Sequence, residues 1–175
     1  MRRILVTTTA LGVLALAAQL TAQEVVKPGP QHDMLKAWQG TWDTSIKTGG
    51  ESSKGTSVCK IGLNGLWLFE SFKGEVAGMP YEGRGATSYD PAKKKFVGVW
   101  MDSMSASVML SAGTYDKATK TMTMVGDMPA PDGKTVKAIM TTVVKDADTK
   151  VFTLKGSADG KEFEMIQVTY KRRAK

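Results

Sequence analysis

The chain is poor in the residues that most often build disulfides and metal centres. Its 175 residues include one cysteine, Cys59, and one histidine, His32. A single cysteine excludes an internal disulfide, so burial and sheet closure must stabilise the fold. One histidine without a second histidine or a cysteine pair lacks the usual ligand set for zinc or haem. We therefore expect no metal and no cofactor.

Catalytic fingerprints are also missing. The sequence has no Gly-x-Ser-x-Gly elbow, no Walker loop and no dinucleotide-binding glycine pattern. The segment from Asp146 to Asp148 lacks the glycine and the terminal glutamate of a calcium loop, and is better explained as a hairpin turn. No nucleophile–base pair is visible, which disfavours catalysis but leaves open an isomerase or hydrolase that uses Asp102 or Glu70.

The positive charge is mild and scattered. The chain has 24 basic and 17 acidic residues, a formal charge of +7. The only dense basic clusters are Lys93–Lys95 and Lys171–Arg173. Nucleic-acid binding would need a continuous basic stripe with stacking aromatic residues, so we expect no nucleic-acid partner.

The first 22 residues are typical of a secretory signal peptide. Arg2 and Arg3 precede an apolar run from Ile4 to Leu20, and small residues follow up to Ala22. Threonines and a glutamine interrupt the run, which makes a retained membrane span a poor alternative. No cysteine at the cleavage region could accept a lipid. We expect cleavage near Ala22 and a mature protein in the periplasm or outside the cell.

The remaining chain has no Pro/Ser-rich linker, which predicts one domain. Residues 23–31 read as an extended lead, and 32–175 as the folded domain. Apolar residues at helical spacing predict one short helix over His32–Gln39, which Gly40 ends.

Alternation of apolar and polar residues predicts strands from Thr41 onwards. Turns of the pattern Asp-x-x-x-Lys recur at Asp90–Lys94, Asp116–Lys120 and Asp146–Lys150, each with an aspartate to cap the turn and a lysine at a strand edge. Ten short strands joined by tight turns, with no crossover helix, predict an all-β, antiparallel up-and-down barrel. The strands are expected near Thr41–Thr48, Gly55–Leu63, Leu66–Val76, Tyr81–Tyr89, Lys95–Asp102, Ser105–Tyr115, Thr121–Asp127, Lys134–Lys145, Lys150–Ser157 and Glu162–Lys171.

Alternate loops of such a barrel lie at opposite ends. The Asp-x-x-x-Lys turns, a two-residue Asn64-Gly65 hairpin and the helix share one end, which we expect to be closed. The other end gathers longer loops rich in glycine and proline, and is the predicted mouth. Its loops are Gly49–Lys54, Gly78–Pro80, Asp102–Met104, Met128–Gly133 and Asp159–Gly160. His32 lies at the end opposite Asp102 and Ser103, which rules out a hydrolytic triad of these residues. A capping or packing role at the helix start is expected for His32 instead.

Gly40-x-Trp42, at the start of the first strand, resembles the signature of lipocalins and other calycin barrels. In calycins an arginine at the end of the last strand stacks on this tryptophan, and the topology puts Arg172 or Arg173 in that position. The resemblance implies a structural role for Trp42 and Arg172 at the closed end.

Longer motifs sharpen the resemblance. The chain is similar to the exported bacterial family catalogued as domain of unknown function 1579. The motifs are Pro-Gly-Pro-Gln-His-x-x-Leu-x-x-x-x-Gly-Thr-Trp from Pro28 to Trp42, Tyr89-Asp90-Pro91, Val97-Gly98-x-Trp100-x-Asp102-Ser103-Met104, Gly113-Thr114-Tyr115-Asp116 and Tyr170-x-Arg172. The resemblance implies a calycin-like barrel and brings no established activity.

Function must then be sought in the barrel wall. Trp100 and Asp102 share one face of their strand, and Glu70 lies among apolar neighbours, with Arg84 a candidate partner on the adjacent strand. Methionines suit an adaptable apolar lining. Those at the predicted mouth are Met79, Met104 and Met128, and those within strands are Met101, Met109, Met122, Met124, Met140 and Met165. Which face of each strand points inward stays open at this point.

Two hypotheses follow. In the first, the barrel binds a small apolar or amphipathic molecule at its mouth, without catalysis. In the second, the barrel is filled, and its loops or outer face meet a partner. The sequence specifies neither the ligand nor the oligomeric state.

Overall fold

The computed structural model describes residues 26–129, 135–158 and 160–174. The predicted signal peptide and part of the Met128–Gly133 loop lie outside the described residues. One helix, α1 (Pro30–Ala37), precedes ten strands. They are β1 (Gly40–Thr48), β2 (Glu51–Gly62), β3 (Trp67–Val76), β4 (Met79–Asp90), β5 (Lys95–Asp102), β6 (Ser105–Asp116), β7 (Thr121–Pro129), β8 (Thr135–Val144), β9 (Thr149–Ala158) and β10 (Lys161–Arg172).

Each strand pairs antiparallel with the next along the chain, and β10 returns to pair with β1. At that closing seam Trp42 lies opposite Arg172. The predicted ten-stranded antiparallel barrel with one short N-terminal helix is therefore confirmed. Closure explains how a chain with one cysteine forms a stable sheet, because a closed barrel has no free outer edges along paired strands.

The open end differs from its prediction. Strand β2 begins at Glu51, so residues 51–54, expected in a loop, pair with the end of β1. The connection shrinks to Gly49-Gly50, whose φ angles of +58° and +91° suit glycine. The expected long loop at Gly49–Lys54 is thus wrong, because the polar residues 51–54 extend the β1–β2 ladder instead.

Strict alternation decides which side chains fill the barrel. Residues such as Ile46, Cys59 and Leu68 are buried at inward positions, while their chain neighbours are more exposed. The buried apolar set combines the helix residue Leu35 with strand residues. The strand members are Trp42, Ile46, Cys59, Leu68, Phe72, Val76, Phe96, Met122, Met124, Ala138, Met140, Val168 and Tyr170.

Helix α1 packs on one end of the barrel, mainly against β3 and β4. Leu35 is fully buried there, and the edge of His32 meets the Tyr89 ring. His32 Nδ1 accepts a hydrogen bond from the Gly29 N–H at 3.0 Å, which satisfies a donor at the helix start. The capping and packing role expected for His32 is present. No helix in the described part of the chain is long and apolar enough to cross a membrane.

Candidate functional site

Glu70 is an acid in the middle of the barrel interior. It lies on the inward face of β3, between Leu68 and Phe72, because side chains alternate along the strand. The Ser57 hydroxyl donates to Glu70 Oε1 at 2.6 Å, and the Tyr170 hydroxyl lies 3.4 Å from the same oxygen. The carboxylate is thus held by neutral donors, and it is part-buried rather than sealed.

The groups around Glu70 are held in their protonated forms. Cys59 lies directly across from Glu70 in the β2–β3 ladder. Burial, followed by the nearby Glu70 charge, raises the pKa of the Cys59 thiol to about 11. Burial also raises the pKa of Tyr170 and Tyr81 above the ordinary 10.0, with Glu70 contributing to both. At neutral pH this part of the wall is therefore an array of neutral donors around an acid.

Trp100 lines the wall nearer the open end. Its indole N–H donates to the Tyr81 hydroxyl at 2.9 Å. The ring lies against β4, where a Cβ on Gly83 would come within 2.2 Å of it and one on Gly85 within 2.7 Å. Only glycine at these two positions allows the indole to lie flat on the wall.

The other predicted mouth residues occupy the rim of this end. Asp102 is half-buried at the end of β5, and its carboxylate accepts the Met104 N–H at 2.9 Å within the turn. Met79 and Met104 are exposed, and Met128 packs partly against the core. Trp100, Asp102 and Met128 therefore share the inward face at the open end.

Two side chains considered for the barrel interior lie on the outer face instead. Arg84 lies opposite Ser71 in the β3–β4 ladder, on the outer face, and forms an ion pair with Glu82 at 3.8 Å. A residue one position from the inward Gly85 must point outward, so Arg84 does not reach Glu70. Met101 is likewise exposed outside the barrel, next to the inward Trp100.

Among the described residues, the pairing between β6 and β7 is incomplete. The ladder pairs residues 111–116 with 121–126 and ends at Ser111 and Gly126. Beyond that point the β6 segment Ser105–Leu110 pairs only with β5, and β7 residues 127–129 pair only with β8, within the described chain. We call this gap the β6–β7 slot. Val108 is 52% exposed and Leu110 67% exposed beside it.

The helix-bearing end is built from cations on aromatic rings. The Arg172 guanidinium lies 4.1 Å from the centroid of the Trp42 ring, so the stacking expected from the calycin resemblance is present. Arg172 also donates to the backbone carbonyls of Ala37, Gln39 and Ala147. Arg173 is turned away and pairs with Asp43.

Lys150 is the residue that sequence reasoning missed. As the last residue of an Asp-x-x-x-Lys turn it was expected at a strand edge, yet it is only 4% exposed. Its Nζ lies 4.7, 4.8 and 4.6 Å from the ring centroids of Trp38, Trp42 and Tyr170. Alternation along the strand is the sequence feature that could have revealed it, because Lys150 shares the inward face of β9 with Phe152 and Leu154.

A pocket of about 390 Å³ opens beside Lys150. Helix α1 contributes one wall, and the turns that join β6 to β7 and β8 to β9 contribute the others. Its lining residues include Met34, Trp38, Tyr115, Val144, Lys117 and Lys120. The helix therefore covers this end only in part.

Two further arrangements that could carry chemistry are not assembled in the described residues. His32 contacts Tyr89 near the helix, whereas Asp102 and Ser103 lie at the opposite end of the strands, so these three residues do not form a triad. Within the described residues, no cluster of three or more histidine, cysteine or acidic side chains could hold a metal ion.

A family model described as protein of unknown function (DUF1579) matches residues 27–172, and the chain belongs to this family. No curated protein matches the chain.

Three solved structures illustrate the likeness in shape. A de novo designed fluorescence-activating β-barrel is 19% identical, covers 81% of this chain and 98% of its own, and gives a TM-score of 0.46. A redesigned β-barrel is 14% identical over 81% and 96%, with a TM-score of 0.41. The S-type phycobiliprotein lyase from Guillardia theta is 10% identical over 83% and 93%, with a TM-score of 0.49.

Proposed function

We propose that this DUF1579 protein is a non-catalytic barrel that binds a small amphipathic molecule through its open end. The observation that supports the proposal is the β6–β7 slot, because a ladder that ends at Ser111 and Gly126 would allow a lateral entrance to the interior. Met109 and Met128 are the inward residues on either side of it, and both are half-buried rather than sealed in the core. Methionine side chains adapt to apolar ligands of varied shape.

The interior also offers a polar anchor. Glu70 is an acceptor that the described basic side chains do not pair with, and its bonds come from the hydroxyls of Ser57 and Tyr170. A ligand with a hydroxyl or amine could donate to the remaining carboxylate oxygen, while its apolar part contacts Trp100 and the methionines. We therefore expect the ligand to be an alcohol or amine rather than an acid.

A second candidate is an interaction protein. The outer face carries exposed apolar side chains on three neighbouring strands, namely Met101 on β5, Leu110 on β6 and Val125 on β7. A patch of exposed apolar side chains marks a protein–protein interface more often than the rest of a protein surface does. In this reading the barrel interior is merely filled.

Matched twelve-carbon amphiphiles separate these candidates. We expect dodecylamine and dodecanol to bind with saturation and change Trp100 fluorescence, and dodecanoate to bind more weakly. Glu70→Gln should reduce the preference for the amine, and Trp100→Leu should weaken all binding at this end. Val99→Leu, on the outward side of the same strand, is the control. Absence of saturable binding, with full packing of the interior, would favour the second candidate.

Access through the slot can be tested by locking it. Leu110 and Asp127 would be the next partners if the β6–β7 ladder continued. Oxidation of an L110C/D127C variant should slow ligand association, and reduction should restore the original rate. Cys59 is buried and should not interfere. An oxidised variant that binds at the wild-type rate would place entry elsewhere.

We also propose that the protein acts outside the cytoplasm, after cleavage near Ala22. The supporting feature is the apolar segment of residues 4–20 with its basic start. Intact-mass analysis of the exported protein should give a form that begins near Gln23. An exported form that retains Met1 would contradict this.

A further inference from the structure

The pocket at the helix-bearing end has a chemistry of its own. Its apolar lining includes Met34, Trp38, Tyr115 and Val144, and it lies at the opposite end of the barrel from the β6–β7 slot. Its volume of about 390 Å³ falls at the lower end of the range for small-molecule sites. The proposed open-end ligand does not account for it.

The charge on this pocket is unbalanced. Three lysines line it, Lys117, Lys120 and Lys150, against the single acid Asp146. Asp146 is exposed, and its Oδ1 already accepts the Asp148 N–H at 2.8 Å within the turn. The other acid of that turn, Asp148, pairs with Arg172 at 3.0 Å.

The burial of Lys150 makes this excess of positive charge costly in free energy. An ammonium removed from water needs an acceptor or a counter-charge, and aromatic faces replace only part of its hydration. No carboxylate of the described residues forms an ion pair with it. Glu70 lies beyond Tyr170, whose hydroxyl is directed at that acid while its ring faces the ammonium.

A purely structural plug would not require a lysine. The same inward face of β9 continues with Phe152 and Leu154, and a methionine at position 150 would fill the space between the rings without a desolvation cost. The lysine side chain instead lines the pocket, with apolar walls on one side and the exposed Lys117 and Lys120 on the other.

We propose that this pocket binds a small apolar monocarboxylate. The carboxylate accepts from the Lys150 ammonium, and the apolar part lies against Met34, Trp38 and Val144. Lys117 and Lys120 attract the anion from solvent, so binding weakens as ionic strength rises. This site is independent of the open-end site, which selects for donors rather than for acids.

Octanoate and octanol are the probes, because they share an apolar chain and differ in charge. Calorimetry should show that wild-type protein binds octanoate at least about tenfold more tightly than octanol, the gain expected of one charge-assisted contact. Lys150→Met should abolish this preference. Lys155→Met, on the same strand but paired with Glu162 on the outer face, should leave it unchanged.

Methyl-labelled methionine locates the bound probe in the wild-type protein, whether or not the Lys150 variant folds. Octanoate should shift the Met34 methyl resonance and leave those of Met109 and Met128 unchanged. A K117Q/K120Q variant, altered only at exposed positions, should retain binding and lose most of its salt dependence. Equal affinities for octanoate and octanol, or shifts only at Met109 and Met128, would overturn the proposal. The latter result would still support the open-end site, so the two proposals fail separately.

Discussion

The two ends of the barrel use tryptophan in different ways. At the helix-bearing end, Trp38 and Trp42 face cations, with Lys150 between their rings and Arg172 over Trp42. At the open end, Trp100 lies flat on glycines and donates to Tyr81, with no cation over its ring among the described contacts. Aromatic faces at the first end hold buried charge in place. At the second end, the half-buried Trp100 provides the apolar face that the proposed ligand would contact.

Strand pairing also differs between the two ends of the barrel. The β1–β10 seam pairs continuously up to Trp42 and Arg172, beside the helix. The β6–β7 ladder ends six residues into β6 and leaves the slot. Both ladders contain six residue pairs, and both are continuous at the helix-bearing end and stop before the open end. The helix-bearing end is therefore the more continuously paired one, and the entrance that we propose lies at the other.

The largest expected effect is a stability loss at the helix-bearing end. Trp42 is 2% exposed and contacts both Lys150 and Arg172. Trp42→Ala should cost about 3–5 kcal/mol in free energy of unfolding, as a buried large-to-small change. Trp67→Ala, at the same end but on the outer face and only half-buried, is the control. Denaturant titration measures both, and equal losses would remove the distinction between the inner and outer faces.

A second effect appears at alkaline pH. The pKa of the Cys59 thiol is about 11 in the fold, against an ordinary value of 9.0. Between these values the unfolded chain has released its proton and the native state has not, so unfolding is favoured as pH rises. The stabilisation is complete below pH 9 and is lost by pH 11, a change of about 3 kcal/mol. The raised pKa of Tyr170 and Tyr81 acts in the same direction.

Cys59→Ala tests this assignment. Its unfolding free energy should fall less steeply between pH 9 and pH 11 than that of the wild type. Val58→Ala, one position away on the other face of β2, should lower stability but keep the wild-type slope. Parallel curves for wild type and Cys59→Ala would show that the buried thiol is not the titrating group.

Local rules carried most of the fold prediction. Alternation located the ten strands, and Asp90 and Asp116 cap their turns as expected, each accepting backbone N–H groups two and three residues ahead. Both depend only on neighbouring residues. The contact of Trp42 with Arg172 was also predictable, since an up-and-down barrel must bring its first and last strands together.

The site was less predictable, because it depends on the register of strand pairing and on which face of each strand points inward. Period-two alternation gives each strand two faces but does not say which is inside, so Glu70 and Arg84 could both be assigned inward until the register separated them. Lys150 repeats the turn position of Lys94 and Lys120, yet those two have φ of +52° in the turn while Lys150 continues the inward face of β9. The slot has no local signal, because ladder length depends on two strands at once.

The smallest expected effect is local and lies within a single strand. Within the described residues, amides of the β6 segment Ser105–Leu110 that face the slot have no β7 partner, whereas the segment Ser111–Gly113 pairs with both β5 and β7. Unpaired edge amides open with free energies near zero, far below that of global unfolding, so the first segment should exchange hydrogen much faster than the second. Hydrogen exchange by NMR measures this, with the second segment as the internal control. A saturating open-end ligand should slow exchange in Ser105–Leu110 if it occupies the slot. Equal protection of the two segments without ligand would mean that the β6 edge is covered, and entry through the slot would then be excluded.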